Sequence, residues 1–162
     1  MTTKRFGCIA ILIALCATVV FAQSTPYSHP RFSATFNGPV SFKTSQNIQK
    51  TSTNNGWSSE NDGVYQQLTI RDIDHNVEVS QASTDFYVNQ IVPLAQVLEA
   101  PTNGTYQGHP WSFIHYNKDG ETWHQWFIIV NANTVFVLSQ LVNPGQDDSA
   151  DWATFSKSLV IK

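Results

Sequence analysis

Residues 111–142, WSFIHYNKDGETWHQWFIIVNANTVFVLSQLV, constrain the fold of this chain more than any other stretch. Trp, Phe, Ile, Val and Tyr recur at a density that suits a pleated, packed surface. Two turn signals divide the run. Asn117-Lys118-Asp119-Gly120 is the stronger, because Asn and Asp side chains bond nearby backbone and Gly supplies positive φ. Asn131-Ala132-Asn133-Thr134 is weaker, since it has no Gly. The stretch therefore reads as a three-stranded antiparallel meander. Pairing Tyr116 with Glu121 sets Ile114 opposite Trp123 and Phe113 opposite His124. Trp111, Phe113, His115, His124 and Trp126 then share one face, and Ile114, Tyr116, Trp123, Gln125 and Phe127 the other. Aromatics on both faces, with an unalternated apolar run from Trp126 to Val130, predict a central strand covered on both sides.

Ahead of the meander, residues 1–22 carry the pattern of a secretory signal. Lys4 and Arg5 form a basic start, residues 9–20 an apolar core, and Val20-Phe21-Ala22 a small-residue cleavage site before Gln23. The apolar run is short of the roughly 20 residues a membrane span needs. Cys16 after Ile13-Ala14-Leu15 raises a lipoprotein signal, but Leu15 is bulky where a small residue is required and mostly apolar residues follow the Cys. The chain is thus expected to be exported, periplasmic or secreted, with no membrane span after cleavage. Removing 22 residues from 162 leaves 140, enough for one domain with a real core. Both cysteines, Cys8 and Cys16, leave with the signal, so stability is expected to rest on the core and not on disulfides. Losing Lys4 and Arg5 from nine basic residues leaves seven against twelve acidic ones, a net charge of −5. That balance lacks the basic patch that nucleic-acid binding requires.

Residues 23–31, with Pro26 and Pro30, read as a flexible leader, and 32–162 as a single domain. Residues 32–36 (FSATF) alternate as a first strand, Asn37-Gly38-Pro39 turns, and Val40-Ser41-Phe42 opens a second. Residues 44–63 are polar, with Trp57 offering to anchor the segment as part of a strand, and 63–72 form the next strand. Ser83 or Thr84 is expected to cap a helix bearing Tyr87, Ile91, Leu94 and Leu98 on one stripe, kinked or restarted at Pro93. Residues 101–104 read as a break, residues 105–109 as a short strand, and Gly108-His109-Pro110 as a bend. After the Asn143-Pro144-Gly145 break, Asp147, Asp148 and Ser149 offer caps for a last helix burying Trp152, Phe155 and Leu159, and residues 158–161 offer a short terminal strand.

Residues 32–40, Gly108-His109-Pro110, the meander and residues 152–161 together resemble, in order and spacing, the PsbP/Mog1-type family and its small exported bacterial members. The resemblance covers about half of the chain after the signal and carries no diagnostic motif. It implies an α+β fold: a largely antiparallel sheet with helices on both faces, an α/β/α sandwich. The family hosts unrelated roles, among them photosystem subunits and a small-GTPase partner, and no functional motif maps onto residues here.

Candidate chemistry is sparse. His115 and His124 share a predicted face and would start a metal site, yet a closed zinc site wants four ligands, and no HExxH or comparable spacing is present. His109 lies at a bend, and His75 in a loop with Asp72 and Asp74 that lacks the EF-hand order. No serine sits in a GxSxG elbow, and the glycines are scattered. Asn103-Gly104-Thr105 matches a glycosylation sequon by chance of a turn. Trp111, Trp123 and Trp126 serve either as core or, at a sheet rim, as an aromatic ligand wall. Trp111, His115, His124 and Trp126 are the ligand-binding candidates; no catalytic residue, metal ligand or cofactor is assigned. The leading expectation is a small non-enzymatic domain that binds a protein partner or a small apolar ligand. A hydrolase or metal-assisted enzyme using the sheet histidines, and an accessory structural subunit of an envelope or membrane complex, are the alternatives.

Overall fold

The meander supplies three adjacent strands of a seven-stranded antiparallel sheet. A computed structural model describes residues 24–47, 49–143 and 149–162. The meander strands are β7 (His109–Lys118), β8 (Glu121–Asn131) and β9 (Thr134–Val142). Before them come β1 (Thr25–His29), β2 (Phe32–Phe36), β3 (Ser41–Gln46), β4 (Ser52–Asn61), β5 (Val64–Ile73), helix α1 (Gln81–Ile91) and β6 (Gln96–Tyr106). Helix α2 (Ser149–Ser158) and β10 (Val160–Ile161) follow. The large sheet has the order β3-β4-β5-β9-β8-β7-β6, and strands β1, β2 and β10 make a second, three-stranded sheet.

The register differs from the expected one by two residues: Lys118 pairs with Glu121, and His115 with His124. Asp119 and Gly120, at φ 56° and 86°, close the hairpin alone as a two-residue turn of the primed type that strand twist favours. A shift of two leaves each side chain on its expected face. Strand β8 is covered on both sides. Trp126 and Ile128 join Phe32, Phe36, Leu68, Leu138, Phe155 and Leu159 in one cluster. Phe127 and Ile129 join Ile114, Tyr116, Val135, Val137 and Val88 in the other.

The α/β/α sandwich is not the architecture found. Among the described residues the structure is mostly β, 60% strand against 17% helical, with two sheets and two helices. One face of the large sheet takes α1; the other takes the small sheet together with α2. Three segments account for the difference. The expected leader is strand β1, paired along its length with β2. The strand expected to open at Val40-Ser41-Phe42 is β3, but it runs on through polar residues to Gln46, and the polar residues 52–61 form β4, with Trp57 buried as its anchor. The expected long helix stops at Ile91, and a single 3-10 turn, Val92–Leu94, holds Pro93 at its start. Leu94 and Leu98, expected on a buried stripe, are exposed. Strand β6 then runs through Pro101, where a break is expected; it is an edge strand with two register shifts, the setting in which a sheet tolerates proline. The N-cap of α1 is Ser80, whose side chain accepts from the Ser83 N–H, and not Ser83 or Thr84. Residues 1–22, Cys8 and Cys16 included, and the cap candidates Asp147 and Asp148 lie outside the described residues.

Two polar assemblies lock the layers. Arg31 makes a bidentate ion pair with Asp72 at 2.8–2.9 Å, and both groups contact the Thr134 hydroxyl. Buried Gln66 accepts from the Asn37 N–H and donates to Gln140, while Ser59 donates to Asn37. With their polar atoms paired, the buried Asn37, Ser59, Gln66 and Gln140 side chains avoid most of the desolvation cost.

Candidate functional site

Helix α2 lies against the face of the meander that carries Trp111, Phe113, His115, His124 and Trp126. Phe155 and Leu159 fix it there: both are fully buried, and Phe155 packs on Phe36 with ring centroids 5.0 Å apart. That anchoring leaves Trp152, one turn before Ser156, over the sheet. Trp152 stacks on Phe113 (5.6 Å, 27°) and on His124 (5.3 Å, 19°), and His124 stacks on His115 (4.1 Å, 14°). Beyond this column Trp111 meets Trp126 edge-on at 5.5 Å, and Tyr106 packs on Trp126 at 4.9 Å.

Between column and pair opens a cleft of about 170 Å³, lined by Thr102, Trp111, Phe113, Trp126, Trp152 and Ser156. Three indoles and a phenyl ring form its walls, with two hydroxyl-bearing residues at its margin. The indole N–H of Trp126 is buried with no hydrogen-bond partner among the described residues. Leaving such a donor unmade costs about 1–3 kcal/mol, a deficit that calls for an explanation in a native fold. Trp111 reaches across β6 because position 104 is glycine: a Cβ there would stand 3.1–3.3 Å from the indole.

Of the four candidates from sequence, Trp111 and Trp126 line the cleft and the two histidines do not. His124 backs Trp152 from behind the wall, and His115 lies one ring further out with Nδ1 3.2 Å from Glu99 Oε1. The stacked rings are poorly set for chelation. Each imidazole lone pair lies in its own ring plane, so a metal on one ring sits outside the plane of the other. Among the described residues no three His, Cys, Asp or Glu side chains gather to hold a metal ion. His109 starts β7, six residues and roughly 20 Å of strand from His115. His75 pairs with Asp74 at 2.9 Å in an exposed loop. His109 and His75 therefore do not join the stacked pair of His115 and His124.

Sequence reasoning missed Thr102, Phe113, Ser156 and Trp152 as cleft residues. Trp152 was legible as a packed residue of the last helix, but its partner face on the sheet was not. Trp123 lies on the opposite face, beside Tyr116. A second polar centre, also unforeseen, joins α1 to β7. Ser112, buried, donates to Asp85 at 2.5 Å and contacts Thr84 and Gln81 at 2.8 Å. The Ser112 hydroxyl, followed by the Gln81 and Asn103 amides, holds the Asp85 carboxyl below the usual carboxylate range against its partial desolvation. Ser112 is closed off from solvent and has no histidine among these partners, so this cluster docks a helix.

No family model matches the chain, and no curated protein matches it at a significant level. No helix among the described residues is long and apolar enough to cross a membrane.

Proposed function

We propose that this protein is a non-enzymatic binding module whose aromatic cleft takes one apolar ring from a ligand or a protein partner. The observation that carries the reading is the cleft of about 170 Å³ walled by Trp111, Phe113, Trp126 and Trp152. A cavity of about 150 Å³ lined by apolar side chains admits benzene, whereas drug-sized ligands occupy about 300–1,000 Å³. The cleft thus suits a single ring, with Thr102 and Ser156 placed to meet polar substituents at its margin. A buried, unpartnered indole donor beside such a space supports the same reading.

The test is a heteronuclear NMR titration with N-acetyltryptophanamide, with methyl glucoside in parallel. The aromatic amide is expected to bind in the millimolar range, about −4 kcal/mol, and to shift the indole N–H signals of Trp111, Trp126 and Trp152. Trp111→Ala should remove the saturable shift. Saturation by the glucoside alone would replace the apolar reading with a sugar one, and no saturation by either would end it.

Export is part of the proposal and rests on the basic start, apolar core and Val20-Phe21-Ala22 site of residues 1–22. Mass spectrometry of protein from the extracytoplasmic fraction is expected to find an amino terminus at Gln23; a terminus at Met1 or Thr2 would contradict it.

A further inference from the structure

The cleft opens beside an unpaired strand edge. β6 ends the seven-stranded sheet, and among the described residues no strand pairs with its outer side. The ladder to β7 tells which backbone groups face outward. Gln107 and Gly108, at φ 51° and 84°, form a two-residue loop, so the flanking pair of Tyr106 and His109 exchanges hydrogen bonds. Bonded and non-bonded pairs then alternate. Gly104 with Trp111 and Thr102 with Phe113 are bonded; Thr105 with Pro110 and Asn103 with Ser112 are not. Pro110 falls at a non-bonded position, as its missing N–H requires. The N–H and C=O groups of Asn103 and Thr105 therefore point away from the sheet.

Free edges invite pairing and are commonly blunted by charge, proline or bulges. The opposite edge, β3, carries Lys43 in its centre. The first half of β6 carries Glu99, Pro101 and both register shifts. Residues 102–106 carry none of these. This unguarded half is the half that borders the cleft: Thr102 lines it, and Trp111 lies over Gly104. Thr102 and Gly104 share the face of Phe113 and Trp111, so a residue added opposite either one projects its side chain toward the cleft.

We propose that residues 102–106 of β6 accept an extended segment of a partner protein by strand addition, seating one aromatic side chain of that segment in the cleft. This rests on the reading of the cleft as a ring site. The occupant is a peptide because the edge presents two donors and two acceptors at strand spacing, complementary to a peptide backbone and of no use to an isolated ring.

The probe is the peptide acetyl-Lys-Thr-Trp-Thr-Lys-amide, titrated by calorimetry beside N-acetyltryptophanamide. The peptide is expected to bind at least about tenfold more tightly than the amide, as a few added hydrogen bonds allow. Thr105→Pro removes one outward N–H and should abolish that factor while leaving the amide affinity unchanged, which also shows that the variant is folded. Peptides N-methylated at alternate residues, in both phases, put the same question to the unaltered protein, and one phase should lose the factor. Equal affinities for peptide and amide, or a peptide indifferent to both Thr105→Pro and N-methylation, would overturn strand addition and leave the ring site standing. Failure of both ligands to bind would remove both readings. Self-association that Thr105→Pro abolishes, with no peptide binding, would assign the edge to a second copy of the chain and overturn the proposal.

Discussion

Trp111 forms a cleft wall because its neighbour across the ladder, Gly104, has no side chain to hold the indole off the sheet. The same economy of single groups governs the response to pH. Hydrogen bonds and charge from Arg31, with the Thr134 hydroxyl, hold the Asp72 carboxyl below its ordinary range, and the Ser112 hydroxyl leads the groups that do so for Asp85. A carboxylate depressed in the folded state stabilises it above the unfolded value of about 4, and that contribution is lost as pH falls through the folded value. Tyr116 has the opposite sense: burial pushes its phenol up to about 12. Its contribution is full below the unfolded value of about 10 and is lost as pH rises toward 12. Melting temperature followed against pH should therefore fall on both limbs. Asp72→Asn and Asp85→Asn should flatten the acid limb, and Tyr116→Phe the alkaline one. Limbs unchanged in all three variants would contradict these assignments. Residue-level chemistry of this kind was only partly legible in the sequence. The shared face of Trp111, His115, His124 and Trp126 follows from alternation alone, and survives a two-residue error in register. Which of the four lines a cleft depends on α2, 26 residues beyond Trp126 at Trp152, and alternation carries no information about that.

At the scale of elements, α2 matters most, since it supplies both a plug for the core and a wall for the site. Phe155→Ala is expected to cost about 3–5 kcal/mol in denaturant titration, through lost transfer energy and the cavity left against Phe36. Ring binding should weaken with it, because Trp152 and Ser156 ride on the same helix. A cost under about 1 kcal/mol would mean that α2 does not hold the two sheets together. The helix was legible from the spacing of Trp152, Phe155 and Leu159, and β10 from the terminal apolar residues. The length of α1 was not. Tyr87 and Ile91 continue to Leu94 and Leu98 at helical spacing, but Pro93 ends the hydrogen-bonded run, and the chain beyond it finds better pairing along β7. The first part of strand β6 was hidden for a related reason, whereas Thr105 and Tyr106 at its end fall within an expected strand. Pro101 and Gly104 signal a break in a central strand, whereas at an edge the first is tolerated and the second is what admits Trp111.

At the scale of the molecule, the described residues form two antiparallel sheets, with one helix on the outer face of the larger and one wedged at its inner face beside the smaller. Mostly-β layering emerges only when the polar stretch 44–61 and residues 25–29 are seen to pair, and neither carries the apolar alternation that marks a strand in sequence. β3 and β4 are held by hydrogen-bonded ladders and by Trp57, with little apolar surface of their own. The cleft falls where the meander, the unguarded end of β6 and α2 meet, so core and site share one aromatic face. That sharing is the central claim. It is tested most directly by filtered NMR measurement of intermolecular nuclear Overhauser contacts to bound N-acetyltyrosinamide. Contacts from the ligand ring to Trp111, Trp126 and Trp152 together are predicted, with none to Trp123 on the opposite face. Contacts confined to Trp123, or to the exposed Phe86 and Leu94, would show that the aromatic cleft is core packing and not a binding site.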